Sequence, residues 1–152
     1  MKKYLIISII FFSVACASKN TLTKHEFADI SDHTSGIFVF EENGKVYPHF
    51  TDEKTTYTLA LKPSVPFSDF DKISKGQNGT GAYIAFKLNS DGAVKFEKLT
   101  TQYHLQKIAF VIDGFVISTP VIHMPVSGGA VQISGLSKEE ADFIFRKVKT
   151  SK

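Results

Sequence analysis

Ala82, Ile84, Phe86 and Leu88 alternate with Tyr83, Ala85 and Lys87, a period of two that predicts a strand with one buried face. Asn89 to Asp91 then supplies capping residues, and Ala93, Phe96, Leu99 or Thr100, and Tyr103 fall on one helical stripe. Residues 107–112 are apolar on both faces and read as a central strand. Asp113-Gly114 is a two-residue hairpin signal, since both positions tolerate positive φ. Residues 115–123 return as a strand, in which Pro120 points to an edge or a bulge. Ser127-Gly128-Gly129 is a loop and residues 130–134 a short strand. Ser137 and Glu140 form a capping box, after which Ala141, Ile144, Phe145 and Val148 make an apolar helix face.

Patterns in the N-terminal half are shorter. Ile37-Phe38-Val39-Phe40 reads as a strand and is followed by Asn43-Gly44, which predicts a hairpin turn. Residues 55–62 predict a further strand with Tyr57, Leu59 and Leu61 on one face, ended by Pro63 and Pro66. A short helix is expected over 68–75, closed by Gly76, with a loop at Gln77-Asn78-Gly79-Thr80-Gly81. Asn78-Gly79-Thr80 also matches a glycosylation sequon but reads as a turn. The class is α+β: a mainly antiparallel sheet with two to three helices packed on one face.

The first residues follow another logic. Lys2 and Lys3 precede an apolar run from Tyr4 to Phe12, broken by Ser8, and then Ser13-Val14-Ala15-Cys16. The run has the length of a signal-peptide core and falls short of the ~20 residues of a membrane-spanning helix. A small pair before the single cysteine resembles the lipobox of bacterial lipoproteins, with Ser13 where Leu is more usual. Residues 1–15 are therefore expected to be a signal peptide, and Cys16 the lipidation site that holds the chain to a membrane. A plain secretory signal would leave Cys16 as a stray thiol. Residues 16–35 are polar and read as a flexible tether, with a helical turn near Glu26 to Ile30; residues 36–152 form a single domain.

Composition changes the picture once the signal is set aside. Losing Lys2 and Lys3 lowers the formal net charge from +3 to about +1. A surface this near neutrality argues against a nucleic-acid partner, which would need clustered Lys and Arg. A single cysteine excludes an intramolecular disulfide, so the fold rests on its core.

Candidate chemistry is sparse. The sequence holds no nucleophile elbow, Walker loop or dinucleotide fingerprint, and no catalytic constellation or cofactor is expected. His25, Glu26, Asp29, Asp32 and His33 offer metal-type donors, but in a tether that would have to lose chain entropy to hold a coordination geometry; no metal site is expected. Asp113 reads as a turn residue ahead of a catalytic aspartate. Ser127, Gly128 and Gly129 either cradle an anion through their amides or let the chain reverse. Phe115 is either an exposed contact or core.

The order of segments in the C-terminal half is familiar. Phe86-Lys87-Leu88, Gly92, Phe96-Glu97-Lys98-Leu99-Thr100 and Ile108-Ala109-Phe110-Val111-Ile112-Asp113-Gly114 run in series. Val116-Ile117-Ser118, Pro120-Val121-Ile122, Pro125-Val126-Ser127-Gly128-Gly129, Ile133-Ser134-Gly135 and Glu139-Glu140-Ala141 complete it. The succession resembles the head subdomain of the periplasmic domain of SecD, an accessory of the bacterial protein-export channel, over residues 81–148. The Gly-Leu-Asp-Leu-x-Gly-Gly stretch of that family is missing, and no apolar stretch of spanning length follows Cys16. The resemblance thus implies a head without the proton-driven membrane motor. It implies a lipid-anchored module on the extracytoplasmic side of the envelope that contacts unfolded exported polypeptide or a Sec-associated or envelope protein. Asp113, Gly114, Phe115, Ser127, Gly128 and Gly129 are the candidate contact residues. Ala17 lacks the aspartate that in some bacteria retains lipoproteins at the inner membrane, which favours the outer membrane in a Gram-negative cell. The other reading is a structural or assembly lipoprotein that docks on a folded envelope protein.

Overall fold

Ile108 to Ile112 is apolar at every position because it separates two hydrophobic clusters, and all five side chains are buried. Ile108, Phe110 and Ile112 face the larger cluster. Ala109 and Val111 face a smaller one with Phe38, Tyr47, Leu59 and Val116. A computed structural model describes residues 35–150, which fall within one unit, Ser31–Lys152. The expected signal peptide, Cys16, the turn near Glu26 and the donors from His25 to His33 lie outside the described residues.

The described residues form two sheets where one was expected. In the first, the path is β2 (Thr56–Leu59), β1 (Gly36–Pro48), β6 (Ile108–Ile112) and β7 (Phe115–Ser118), with β3 (Val65–Pro66) also paired to β1. The second has β5 (Gly81–Leu88) between β4 (Phe70–Asn78) and β8 (Ala130–Leu136). All strand pairs are antiparallel. The described helices are α1 (Ser90–Gln102) and α2 (Lys138–Thr150). Ile84, Phe86, Phe96, Leu99, Ile133, Ala141, Ile144 and Val148 join Ile37 and Ile108 in the larger cluster, so both sheets and both helices share it.

Three elements carry the predicted caps and turns. Asn89 Oδ1 accepts from the Gly92 N–H at 2.8 Å. The Glu140 N–H reaches Ser137 Oγ at 3.1 Å, and the Ser137 N–H reaches Glu140 Oε2 at 2.7 Å, which closes the capping box. Asp113 and Gly114 have φ of +53° and +80°, the signature of a type I′ turn between β6 and β7.

Other expectations are corrected. Asn43-Gly44 does not make a hairpin: β1 runs through it, and Phe40 and Lys45 both stand opposite Leu59 across a bulge. The arms of the expected hairpin share one partner strand, and that strand comes so close that a Cβ on Gly44 would lie 1.8 Å from the Leu59 carbonyl oxygen. The strand expected over 55–62 is four residues long, and Leu61 is exposed. The helix expected over 68–75 is instead a 3-10 turn at Phe67–Asp69 followed by β4. A helix that short is marginal alone, whereas β4 finds a ladder along nearly all of β5. Strand β7 stops at Ser118, and only an isolated bridge from Val121 to Lys107 continues the pairing past Pro120.

Candidate functional site

The two predicted loops are held by different helices. Around the β6–β7 turn, the Asp113 N–H donates to Ser35 Oγ at 2.9 Å and its carboxylate meets Lys147 Nζ of α2 at 3.0 Å. Asp113 therefore serves as a turn residue with its charge matched. Phe115 is half-buried and packs against the larger cluster, which places it on the core side of the two alternatives.

The second loop is clamped to α1 and β5. The buried Thr100 hydroxyl donates to the Phe96 carbonyl and accepts from the Val126 N–H, both at 2.9 Å. Gly129 has φ of +63°, and a Cβ there would lie 2.8 Å from that of Ala93. Its carbonyl accepts from the Leu88 N–H at 2.8 Å, and the Gly128 carbonyl accepts from Lys87 Nζ. A carbonyl facing an ammonium suits chain reversal better than an anion cradle. Ser127 and Gly128 are exposed, and Gly129 is buried.

What this clamp aims is β8. The Leu88–Gly129 hydrogen bond sets the parity of the β5–β8 ladder, because bonded and non-bonded pairs alternate along an antiparallel pair. Val131 and Ile133 thus turn their backbone groups to Phe86 and Ile84. Ala130, Gln132 and Ser134 turn theirs away, toward a side where no described strand pairs. All three residues are exposed. On β4 the same parity leaves Ile73, Lys75 and Gln77 with outward backbone groups.

The side chains of the two edges differ. Lys75 stands opposite the fully buried Ile84 and so projects from the core-facing side of the sheet. It pairs with Asp142 of α2, and its ammonium sits 5.1 Å from the centre of the Phe145 ring. The Asp142 carboxyl is lowered from 3.8 to about 2, first by the hydrogen bond from Lys75 and then by that from Lys138. An inward charge on an edge strand resists addition of a further strand. Strand β8 has Val131 and Ile133 at its inward positions, and no Asp, Glu, Lys or Arg occurs anywhere from Phe115 to Ser137.

Sequence reasoning did not select Ala130, Gln132 and Ser134. Their signal was that long interval without charge, in a chain where charged residues make up 22%. Among the described residues, no group of three or more His, Cys, Asp or Glu side chains could hold a metal, and no helix is long and apolar enough to cross a membrane.

The sequence model of the family described as "SecDF, P1 head subdomain" matches residues 44–145, beginning well before Gly81. The protein translocase subunit SecD of Treponema pallidum (strain Nichols) is 41% identical over 119 residues, which are 77% of this chain and 20% of that protein. The protein translocase subunit SecDF of Thermus thermophilus is 35% identical over 71 residues, 47% of this chain and 9% of that one. This chain thus spans a fifth or less of the length of these relatives. Among solved structures, SecDF in its super-membrane-facing form aligns with a TM-score of 0.64 at 23% identity, over 77% of this chain and 18% of that chain. A structure of SecDF described as a membrane component that enhances protein export gives 0.64 at 22%, over 77% of this chain and 62% of that one. Likeness at this identity speaks for a shared fold.

Proposed function

This chain belongs to the family of SecDF P1 head subdomains, and from that premise we propose that it is an envelope binding module that contacts polypeptide during protein export. The observation that carries the reading is the family match over residues 44–145, which takes in β2 to β8 and most of α2. The relatives are named as translocase subunits, and this chain corresponds to a small part of them. Its contribution is contact with a partner: it acts through surface and backbone groups, without a reacting group or cofactor. Ser13-Val14-Ala15-Cys16 supports an anchor of acyl chains on Cys16 at the extracytoplasmic side of a membrane.

Titration of the full chain with an exported protein kept unfolded tests this reading. Saturable binding at or below tens of micromolar is expected, and no saturable signal in that range rejects it. The anchor is tested separately by Cys16→Ser, which should move the protein from the membrane to the soluble fraction. Retention on the membrane contradicts lipidation.

A second reading, docking on a folded envelope protein, is favoured by one surface feature. Leu105 is 66% exposed, Met124 67% and Val121 39%. They lie on two segments joined by hydrogen bonds between Leu105 and Ile122 and between Ile122 and Gln106. Leu105 also has φ of +62°, a region that costs a branched residue roughly 1–2 kcal/mol. A single stoichiometric crosslinked partner, lost in Leu105→Asp, would favour docking; crosslinks to many exported proteins would favour the first reading.

A further inference from the structure

We propose that the open edge of β8 is the strand-addition site: an extended segment of the bound polypeptide pairs there as a fourth strand of the β4–β5–β8 sheet. The inference rests on the polypeptide-binding reading above and gives it a place and a chemistry. Ala130, Gln132 and Ser134 direct their N–H and C=O groups outward at every second residue, the array that an extended backbone recognises. The array is held in place. Gly129 locks its entry against Ala93, and β5 bonds Val131 and Ile133 from the other side. The Gln132 side chain donates to Ser134 Oγ at 2.7 Å, so it is engaged along its own strand.

The chemistry of the guest follows from its neighbours. On the core-facing side, a guest side chain lies beside Val131 and Ile133, which give a charge no partner. On the other side it lies beside Ala130, Gln132 and Ser134, which are small or neutral. The favoured guest is an uncharged segment with apolar residues at alternate positions. Such segments are unfolded strands in search of a sheet, which an export module would meet before its clients fold.

Opposite edges of one sheet provide the internal control. Proline at 132 removes an outward N–H without touching the ladder to β5, and proline at 77 does the same on β4. The probe is a short peptide of alternating valine and threonine with a solubilising glycine–lysine tail, titrated into the full chain beside the unfolded exported protein. Gln132→Pro should weaken peptide binding about tenfold, the loss expected for one hydrogen bond and a blocked approach, and Gln77→Pro should leave it unchanged. Should Gln132→Pro fail to fold, judged by circular dichroism, the double variant Ala130→Lys and Ser134→Lys keeps the backbone and should weaken binding similarly. Wild-type affinity in a folded β8 variant overturns the edge assignment while leaving polypeptide binding intact. Absence of binding by the unmodified chain to either probe rejects the underlying reading as well. Concentration-dependent self-association that the β8 variants abolish, with peptide binding unaffected, assigns the edge to a second copy of this chain and overturns the proposal.

Discussion

The two edges of the smaller sheet share β5 as their common neighbour and carry the same outward spacing of backbone groups, yet only one is defended. On β4, Lys75 points toward the core side and is held by Asp142, while Lys72 stands exposed three pairs away. On β8, Ile133 stands across Ile84 from Lys75 and Val131 across Phe86 from Ile73, and exposed Ala130, Gln132 and Ser134 alternate with them. Edge strands that lack charge, proline or cover tend to pair with other chains, so an unguarded edge needs a reason or a partner. The difference teaches that openness is a property of side chains as much as of topology.

The comparison can be broken from its centre. Ile84 is fully buried beneath both edges, and Ile84→Ala should cost about 2–5 kcal/mol, read from urea unfolding, and loosen β4 and β8 together. A change of one edge without the other would contradict their common support. Next in size is Gly129→Ala, which meets both a positive φ and the Ala93 Cβ; a loss of about 1–3 kcal/mol is expected. Amide shifts should be concentrated at the start of β8 and at Ala93, with β4 little changed.

Removing the guard sharpens the contrast. Lys75→Val should open the β4 edge, so that the stoichiometry of peptide binding rises from about one to about two per chain. Isothermal titration would show it, and unchanged stoichiometry would mean that something other than Lys75 closes that edge. The smallest effect is that of pH. The Asp142 carboxyl is held down to about 2, below its ordinary 3.8, so the Lys75–Asp142 tie contributes fully above about pH 4 and fades as pH falls through 2. A carboxyl-carbon titration of Asp142 by NMR should show a midpoint near 2; one near 3.8 would say that the pair does not persist in solution.

Legibility in the sequence followed the range of the interaction that decides each element. The alternation from Ala82 to Leu88, the Asn89 cap and the Ser137–Glu140 capping box are local, and each is found as read. The two Xaa-Gly turns separate local from tertiary causes. Asp113-Gly114 joins strands that pair with each other, so the turn chemistry decides. Asn43-Gly44 has the same chemistry, but β2 binds the chain on both sides of it and converts the turn to a bulge. In residues 70–78, Phe70 and Ile73 stand three apart, which suits a short helical turn, and no clean alternation opposes it, so only the presence of β5 makes the segment a strand. The β8 edge was unreadable for a similar reason: which strand lies outermost depends on the order of the sheet. Its lack of charge was in plain view, however, and the selected loop Ser127-Gly128-Gly129 proves to be the clamp that leads into it.

Backbone amide exchange on the full chain, with and without the valine–threonine peptide, tests the edge most directly. The N–H groups of Ala130, Gln132 and Ser134 should exchange quickly in the free protein and slow by about tenfold or more when the peptide is bound, while those of Ile73, Lys75 and Gln77 keep their rates. Protection of the β8 amides before any peptide is added, or binding that leaves them unprotected, would contradict the account.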